Sequence, residues 1–235
     1  MARVLWFRRD FRLHDNPALV AAAEGSATDG DGIVVPLVTI DTAQWRYFSE
    51  PLRNYVVASM RELDATLDGN LLIQHGDPAE ILPRVAAAVG ASTVHVAAQH
   101  TPYAMARDQR TSQALTASGI GWQETGSSYA VAPGRVMKDD GTPYRVYTPF
   151  YKGWVRHGWR APAVDPKVWP TWTMPVDCDG YPDVTPVPEL TLPAAGEQAA
   201  LRRWRDFQAE HLDHYDEQRN RPDLDATSRL SIPLM

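Results

Sequence analysis

Val4-Leu5-Trp6-Phe7, then Arg8-Arg9-Asp10-Phe11-Arg12, then His14-Asp15-Asn16-Pro17 running into Ala18-Leu19-Val20-Ala21-Ala22-Ala23, is the stretch that decides the fold class. The first four residues are a short continuous apolar run, as a strand covered on both faces requires. The charged residues after Phe7 end that run. Asn16 or Asp15 can cap the first helical amides and Pro17 suits the first helical position, so a helix follows the turn. A buried strand, a polar turn and a helix make the first half of a parallel crossover unit.

The same alternation recurs down the chain. Gly25 and the Gly/Asp-rich segment to Gly32 are expected to end the first helix, and Ile33 to Val38 reads as a second strand. Pro36 within it requires a bulge or an unpaired position. Leu52, Tyr55, Val56, Met60, Leu63 and Leu67 recur at helical spacing. Leu71-Leu72-Ile73 is a third strand, and Asp77-Pro78 opens a helix through Ile81, Val85 and Val89. Thr93 to Ala97 is a fourth strand, Tyr103 to Ala117 a polar helix, and Ile120 to Gln123 a fifth strand. Short apolar strands separated by helices predict an α/β domain over residues 1–128, a doubly wound, Rossmann-like parallel sheet of five strands.

Composition bounds the rest. The chain has 235 residues, 44% hydrophobic and 22% charged, the range of soluble globular proteins rather than of disordered ones. A net charge of −6 excludes a general nucleic-acid coat and leaves room for a local basic face. The lone Cys178 excludes a disulfide framework and a multi-cysteine metal site, and it fits a reducing cytoplasm. No apolar run approaches the roughly 18 residues that span a bilayer, so no membrane association is expected. Eight of the 19 prolines lie between Pro162 and Pro193, which predicts an extended linker over residues 129–196. Glu197 to Glu217 then reads as a helix with a sparse stripe of Leu201, Trp204, Phe207 and Leu212, the start of a short helical stub over 197–235.

Generic motifs do not identify the chemistry. The turn after Phe7 lacks the glycines of a dinucleotide fingerprint, and no phosphate-cradling Gly-Lys-Ser/Thr loop or serine elbow exists. His211 and His214 form a lone pair without further ligands at zinc spacing. Two segments stand out. Arg135, Lys138, Arg145, Lys152, Arg156 and Arg160 alternate with Tyr144, Tyr147, Phe150, Tyr151, Trp154 and Trp159. Such a segment is either a nucleic-acid surface or a packing segment in which arginines cover aromatic faces. Thr227-Ser228-Arg229-Leu230-Ser231 offers hydroxyls, a guanidinium and amides that could cradle a pyrophosphate.

Leu5-Trp6-Phe7-Arg8-Arg9-Asp10-Phe11-Arg12-Leu13-His14-Asp15-Asn16-Pro17-Ala18-Leu19 resembles the N-terminal signature of the DNA photolyase/cryptochrome family. Tyr144-Arg145-Val146-Tyr147-Thr148-Pro149-Phe150 is similar to a later family segment, and Tyr215-Asp216-Glu217-Gln218-Arg219 through Thr227–Ser231 resembles the entrance to its flavin domain. The resemblance implies an α/β antenna domain, a long interdomain loop that wraps around the helical domain, and the start of that helical FAD domain. It implies light-driven repair of cyclobutane pyrimidine dimers in ultraviolet-damaged DNA, by electron transfer from reduced FAD. Tyr215, Thr227, Ser228, Arg229, Leu230 and Ser231 would then belong to the FAD site, and Arg219 would touch a DNA phosphate.

Ile232-Pro233-Leu234-Met235 departs from the family's continuation. Most of the helical domain is therefore expected to be absent, and that domain on another chain is a candidate partner. For the antenna, the folate-binding members carry an Asn-Glu pair where this chain has Tyr103 and Ala104, whereas Thr101-Pro102-Tyr103 resembles the deazaflavin binders. A deazaflavin, favoured over methenyl-folate, would lie against Arg8, Arg9, Asp10 and Arg12, near Leu37, Val38, Asp41 and Tyr103. An empty site with Tyr103 merely packed is the alternative. A cryptochrome-like photoreceptor and a stand-alone chromophore- or nucleotide-binding module are the competing functions.

Overall fold

A computed structural model describes residues 1–29 and 31–232, so the Pro233-Leu234-Met235 terminus lies outside the described residues. The elements run β1 (Arg3–Phe7), α1 (Pro17–Asp29), β2 (Ile33–Ile40), α2 (Thr42–Trp45), α3 (Glu50–Thr66), β3 (Leu72–His75), α4 (Pro78–Ala88), β4 (Thr93–Ala98), α5 (Pro102–Ala117) and β5 (Gly121–Ser127). After them come α6 (Tyr147–His157), β6 (Thr171–Trp172), α7 (Glu197–Glu210), a 3-10 turn (Leu212–His214) and α8 (Tyr215–Gln218).

The sheet is parallel, in the order β3-β2-β1-β4-β5. Alternation within β1 sends Leu5 and Phe7 to one face, with Leu19, Met60 and Leu63 from α1 and α3. Val4 and Trp6 go to the other, with Ile81, Leu82 and Leu115 from α4 and α5. The expected five-stranded, doubly wound α/β architecture is what the chain adopts.

Pro36 shows how the sheet tolerates a residue with no amide donor. β2 pairs with β1 along its length, but its other edge is shared. There β6 pairs with Ile33 and Val34, and β3 pairs from Leu37 onward. Pro36 falls in the gap between those two partners, where no ladder bond is lost.

Two boundaries differ from the sequence reading. Gly25 does not end α1, which continues to Asp29. A Cβ there would stand 3.1 Å from Arg3 Nε, so Gly25 serves the close approach of α1 to the sheet. The helix expected from Glu197 to Glu217 breaks at His211 into α7, the 3-10 turn and α8. The break lets Tyr215 fold back edge-on against the buried Phe207, at 5.7 Å.

The proline-rich connection is extended, and part of it docks on the α/β domain. Beyond β6, Gln74 Nε2 donates to Asp177 O at 2.7 Å and His75 N to Asp179 Oδ2 at 2.7 Å. Tyr181 Oη donates to Asp64 Oδ2 at 2.6 Å, and Asn54 Nδ2 to Thr185 O at 2.7 Å. Trp172, Cys178, Tyr181 and Val184 pack on the α1/α3 side of the core. Backbone groups with no ladder partner of their own are thus satisfied by the edge of the domain. No helix of the described residues is long and apolar enough to cross a membrane.

α7 is fixed to the loop after β1. Glu197 Oε2 accepts from Leu13 N at 3.0 Å and Oε1 from His14 N at 3.1 Å. The same loop is held by the linker, where Asp15 Oδ1 accepts from Arg160 Nη1 at 2.6 Å and Ala163 N at 2.7 Å. The segment that decided the fold class is therefore also held by residues far along the chain, Arg160, Ala163 and Glu197.

A candidate ligand edge at the carboxyl ends of the strands

In an open parallel sheet the crevice lies where neighbouring strands are connected in opposite directions. Here that point is between β1 and β4, because the chain winds from β1 through β2 and β3 and then crosses to β4. The turn after β1 rises from this point. The Arg8 guanidinium donates to Asp108 Oδ2 at 2.5 Å and to the Ala97 carbonyl, and it lies 4.7 Å from the Trp6 ring centroid. Arg107 stacks on the same ring at 4.9 Å and reaches Asp108 Oδ1 through Nη2 at 2.7 Å. Burial lowers the Arg8 pKa, with Asp108 working against the shift.

Asp10 is buried, and its Oδ1 accepts from Arg8 N at 2.9 Å. Arg12 turns back to donate to the His14 carbonyl at 3.2 Å and the Asp15 carbonyl at 2.8 Å, which shapes the loop. Arg9 is exposed. The three arginines expected to face a ligand thus divide into one buried in an ion cluster, one bracing its own turn and one open to solvent.

Across the edge, Tyr103 Oη donates to Asp41 Oδ2 at 2.5 Å. Asp41 also caps α2 by accepting from Ala43 N at 3.1 Å. This bond joins the end of β2 to the start of α5 and brings Tyr103 and Asp41 together. Burial, and then the Asp41 carboxylate, push the Tyr103 phenol up to about 12. Leu37 and Val38 are placed otherwise. They are neighbours on a strand, so they point to opposite faces, and both are buried in core clusters beneath the edge. Neither side chain walls an open slot.

Arg107 and Asp108 were missed in the sequence reading. Ala104, Asp108, Thr111 and Leu115 recur at helical spacing and are all buried, as is Arg107. The signal was a sheet-facing stripe in which charged residues occupy core positions.

The C-terminal residues form a separate group. Arg203 donates to the Ser228 carbonyl at 2.9 Å and the Thr227 carbonyl at 3.1 Å, which pins the turn. Arg229 adopts φ 50 and pairs with Asp225 Oδ1 at 2.8 Å. Thr227, Ser228 and Leu230 are half-buried, and Ser231 and Tyr215 are exposed. A cavity of about 630 Å³ lies beside them, lined by Arg203, Asp206, Phe207, Glu210, Asp225 and Thr227 among others. Three carboxylates line it, and Arg229 is neutralised by one of them. As placed, these residues do not fit the pyrophosphate of FAD. Arg219 is exposed at the end of α8.

In the basic-aromatic segment the rings pair with one another. Tyr147 stacks on Tyr151 at 5.8 Å, and Trp154 on Trp159 at 4.6 Å. Among the described residues, no arginine of this segment lies over those rings, so the packing reading does not hold in its arginine-on-ring form. The described residues contain no group of three or more His, Cys, Asp or Glu able to hold a metal ion.

Comparison with known proteins places this edge in context. Residues 3–168 match the family model described as DNA photolyase. The chain is 34% identical over 97% of its length to a deoxyribodipyrimidine photo-lyase of Streptomyces griseus, covering 51% of that protein. It is 31% identical over 97% of its length to one of Halobacterium salinarum, covering 50%. A class III photolyase of Agrobacterium tumefaciens superposes with a TM-score of 0.76 at 27% identity, over 98% of this chain and 49% of that one. The chain spans about half the length of the curated relatives it matches. With a parallel α/β sheet, the Arg8–Arg12 turn at its switch point and a family match over most of its length, this chain belongs to the DNA photolyase family.

Proposed function

We propose that this chain supplies the antenna half of a light-driven DNA photolyase, holding a chromophore at the carboxyl edge of its sheet. The observation that carries the reading is the Tyr103–Asp41 bridge beside the Arg8–Asp108–Arg107 cluster, at the switch point of a photolyase-family sheet. Tyr103 is 39% exposed and offers a ring face. Arg9 offers a solvent-facing cation for an anionic tail or phenolate. The cluster stacked on the Trp6 ring forms the floor of the edge.

A deazaflavin is the chromophore that suits this edge better than methenyl-folate, because Tyr103 and Ala104 provide no charge-assisted grip for a pterin. Equilibrium fluorescence titration is expected to give micromolar or tighter binding of deazaflavin and at least about tenfold weaker binding of methenyl-folate, a gap of about 1.4 kcal/mol. Tyr103→Ala weakens the deazaflavin. Equal affinities, or an unaffected Tyr103→Ala variant, remove the support for this reading.

Repair of ultraviolet-damaged DNA is the activity proposed for the whole protein, with FAD as its cofactor. As placed, the Thr227–Ser231 turn does not fit that cofactor's pyrophosphate, because the adjoining cavity carries Asp206, Glu210 and Asp225 and Arg229 is paired with the last of them. The purified chain is therefore expected to lose added FAD on gel filtration. Stoichiometric FAD retained through the column overturns this expectation.

A further inference from the structure

Tyr147, Phe150, Tyr151, Trp154 and Val155 recur along α6 at i, i+3, i+4, i+7 and i+8, which lines them up as one apolar stripe. Such a stripe ordinarily lies against the core, yet Tyr147 is 74% exposed and Tyr151 49%, and Phe150 and Val155 are open as well. The helix meets the chain by another side, where Gly153 is buried under the Tyr144 ring. Lys152 and Arg156 stand one turn apart beside the stripe. Residues 141–164 hold no carboxylate, and among the described residues neither Lys152 nor Arg156 forms an ion pair, whereas Arg160 is taken by Asp15. A contiguous apolar face rimmed by charge marks an interaction site.

α7 presents the complement. Asp206 and Glu210 are also one turn apart, both are exposed, and both line the cavity of about 630 Å³ beside the buried Phe207. From Asp206 to Glu217 the chain carries five carboxylates and no lysine or arginine. Among the described residues Asp206 forms no ion pair, and Glu210 has only the neighbouring His211, at 3.7 Å. Trp204, itself exposed, leans on Phe207 at 5.8 Å, and Leu224 lines the cavity wall. The acidic pair, like the basic one, borders an open apolar surface.

We propose that α6 of one copy docks on α7 of a second copy, and that the contact is reciprocal, so that two copies close as a two-fold dimer. Lys152 and Arg156 of one copy face Asp206 and Glu210 of the other. The shared spacing of one helical turn lets both pairs form together. Tyr151 and Val155 then cover Phe207 and Leu224. Burial of the stripe supplies the affinity, and the charge pairs select the partner and the register. A second copy is the occupant that the chain itself specifies, since each copy carries both complementary faces. The inference goes beyond the chromophore reading and does not depend on it, because the strand edge of that reading shares none of these residues.

Gel filtration with light scattering on the full chain is expected to show a dimer that dissociates on dilution. Lys152→Glu with Arg156→Glu sets carboxylate against carboxylate at both contacts, and Asp206→Lys with Glu210→Lys sets cation against cation at both. Each doubly substituted chain is expected to dimerise about tenfold more weakly, or worse. Mixed one to one, the two variants oppose unlike charges at both contacts again, and the dimer is expected to return. All four residues are exposed, so none of the changes disturbs the core. A monomer at every concentration, a dimer indifferent to both pairs of substitutions, or a mixture that stays monomeric overturns the proposal. If circular dichroism shows that either variant does not fold, carbodiimide cross-linking of a mixture of isotopically light and heavy unaltered chains decides instead. Lys152 joined to Asp206 or Glu210 between a light and a heavy chain supports the dimer, and the lack of such a link overturns it.

Discussion

Acidification from pH 7 to pH 4.5 is expected to remove roughly 2–3 kcal/mol of folding stability through one residue, His95. The ring is 2% exposed on β4, and among the described residues neither of its nitrogens has a hydrogen-bond partner. Burial, with Arg3 beside it, lowers its pKa from 6.5 to about 4. The folded chain therefore holds the ring neutral where the unfolded chain protonates it. The stability that this neutral ring allows is full above about pH 6.5, and it falls as the pH drops through the window toward 4. Urea unfolding at pH 7 and pH 4.5 reads the effect directly. His95→Phe fills nearly the same volume and has nothing to protonate, so its loss over that window is smaller by this amount. An equal loss in the variant shows that other groups carry the acid limb.

Asp108→Ala is expected to cost about 3–5 kcal/mol, the scale for breaking a buried ion pair by removing one partner. Asp108 is the carboxylate that both Arg8 and Arg107 reach, and the three side chains are 7%, 5% and 4% exposed. Without it, two guanidinium groups over the Trp6 ring repel each other in a site closed to water. A lowered urea midpoint with an unchanged slope is the predicted reading. Asp223→Ala removes the partner of Arg221 from an exposed pair at 2.6 Å, and it leaves the midpoint where it was. Equal midpoints for the Asp108→Ala variant and the unaltered chain show that the cluster adds no stability to the edge.

Much of the fold was legible in the sequence because its rules are local. Val4–Phe7 reads as a strand covered on both faces, and Asp15 or Asn16 followed by Pro17 reads as a helix start beside it. Repetition of that unit then required a parallel sheet, since crossover helices leave no other pairing. The placement of Tyr103 and Asp41 at one edge followed from the same logic, as both stand just beyond the carboxyl ends of strands. The family resemblance was legible for a different reason, being carried by ordered residue identities rather than by periodicity.

The tertiary structure decided what depends on residues distant in the chain. Pro36 is tolerated because β6, arriving from the linker, stops short of where β3 begins, and no local pattern marks that gap. Arg8 looked like a ligand contact from its place after β1, but a carboxylate on α5, remote in sequence, claims it. Leu37 and Val38 lay near the right edge in sequence, yet strand alternation and the helices on each face bury both. His95 reads as one more residue in a short strand, and only the packing of Arg3 and α1 against it turns it into a buried base. Hydrophobic period and turn chemistry are written residue by residue, so the sequence by itself determined the sheet and its winding. Charge pairing and burial are sums over neighbours brought together by folding, so only the tertiary structure decided which polar groups are paired with one another and which are left open to solvent.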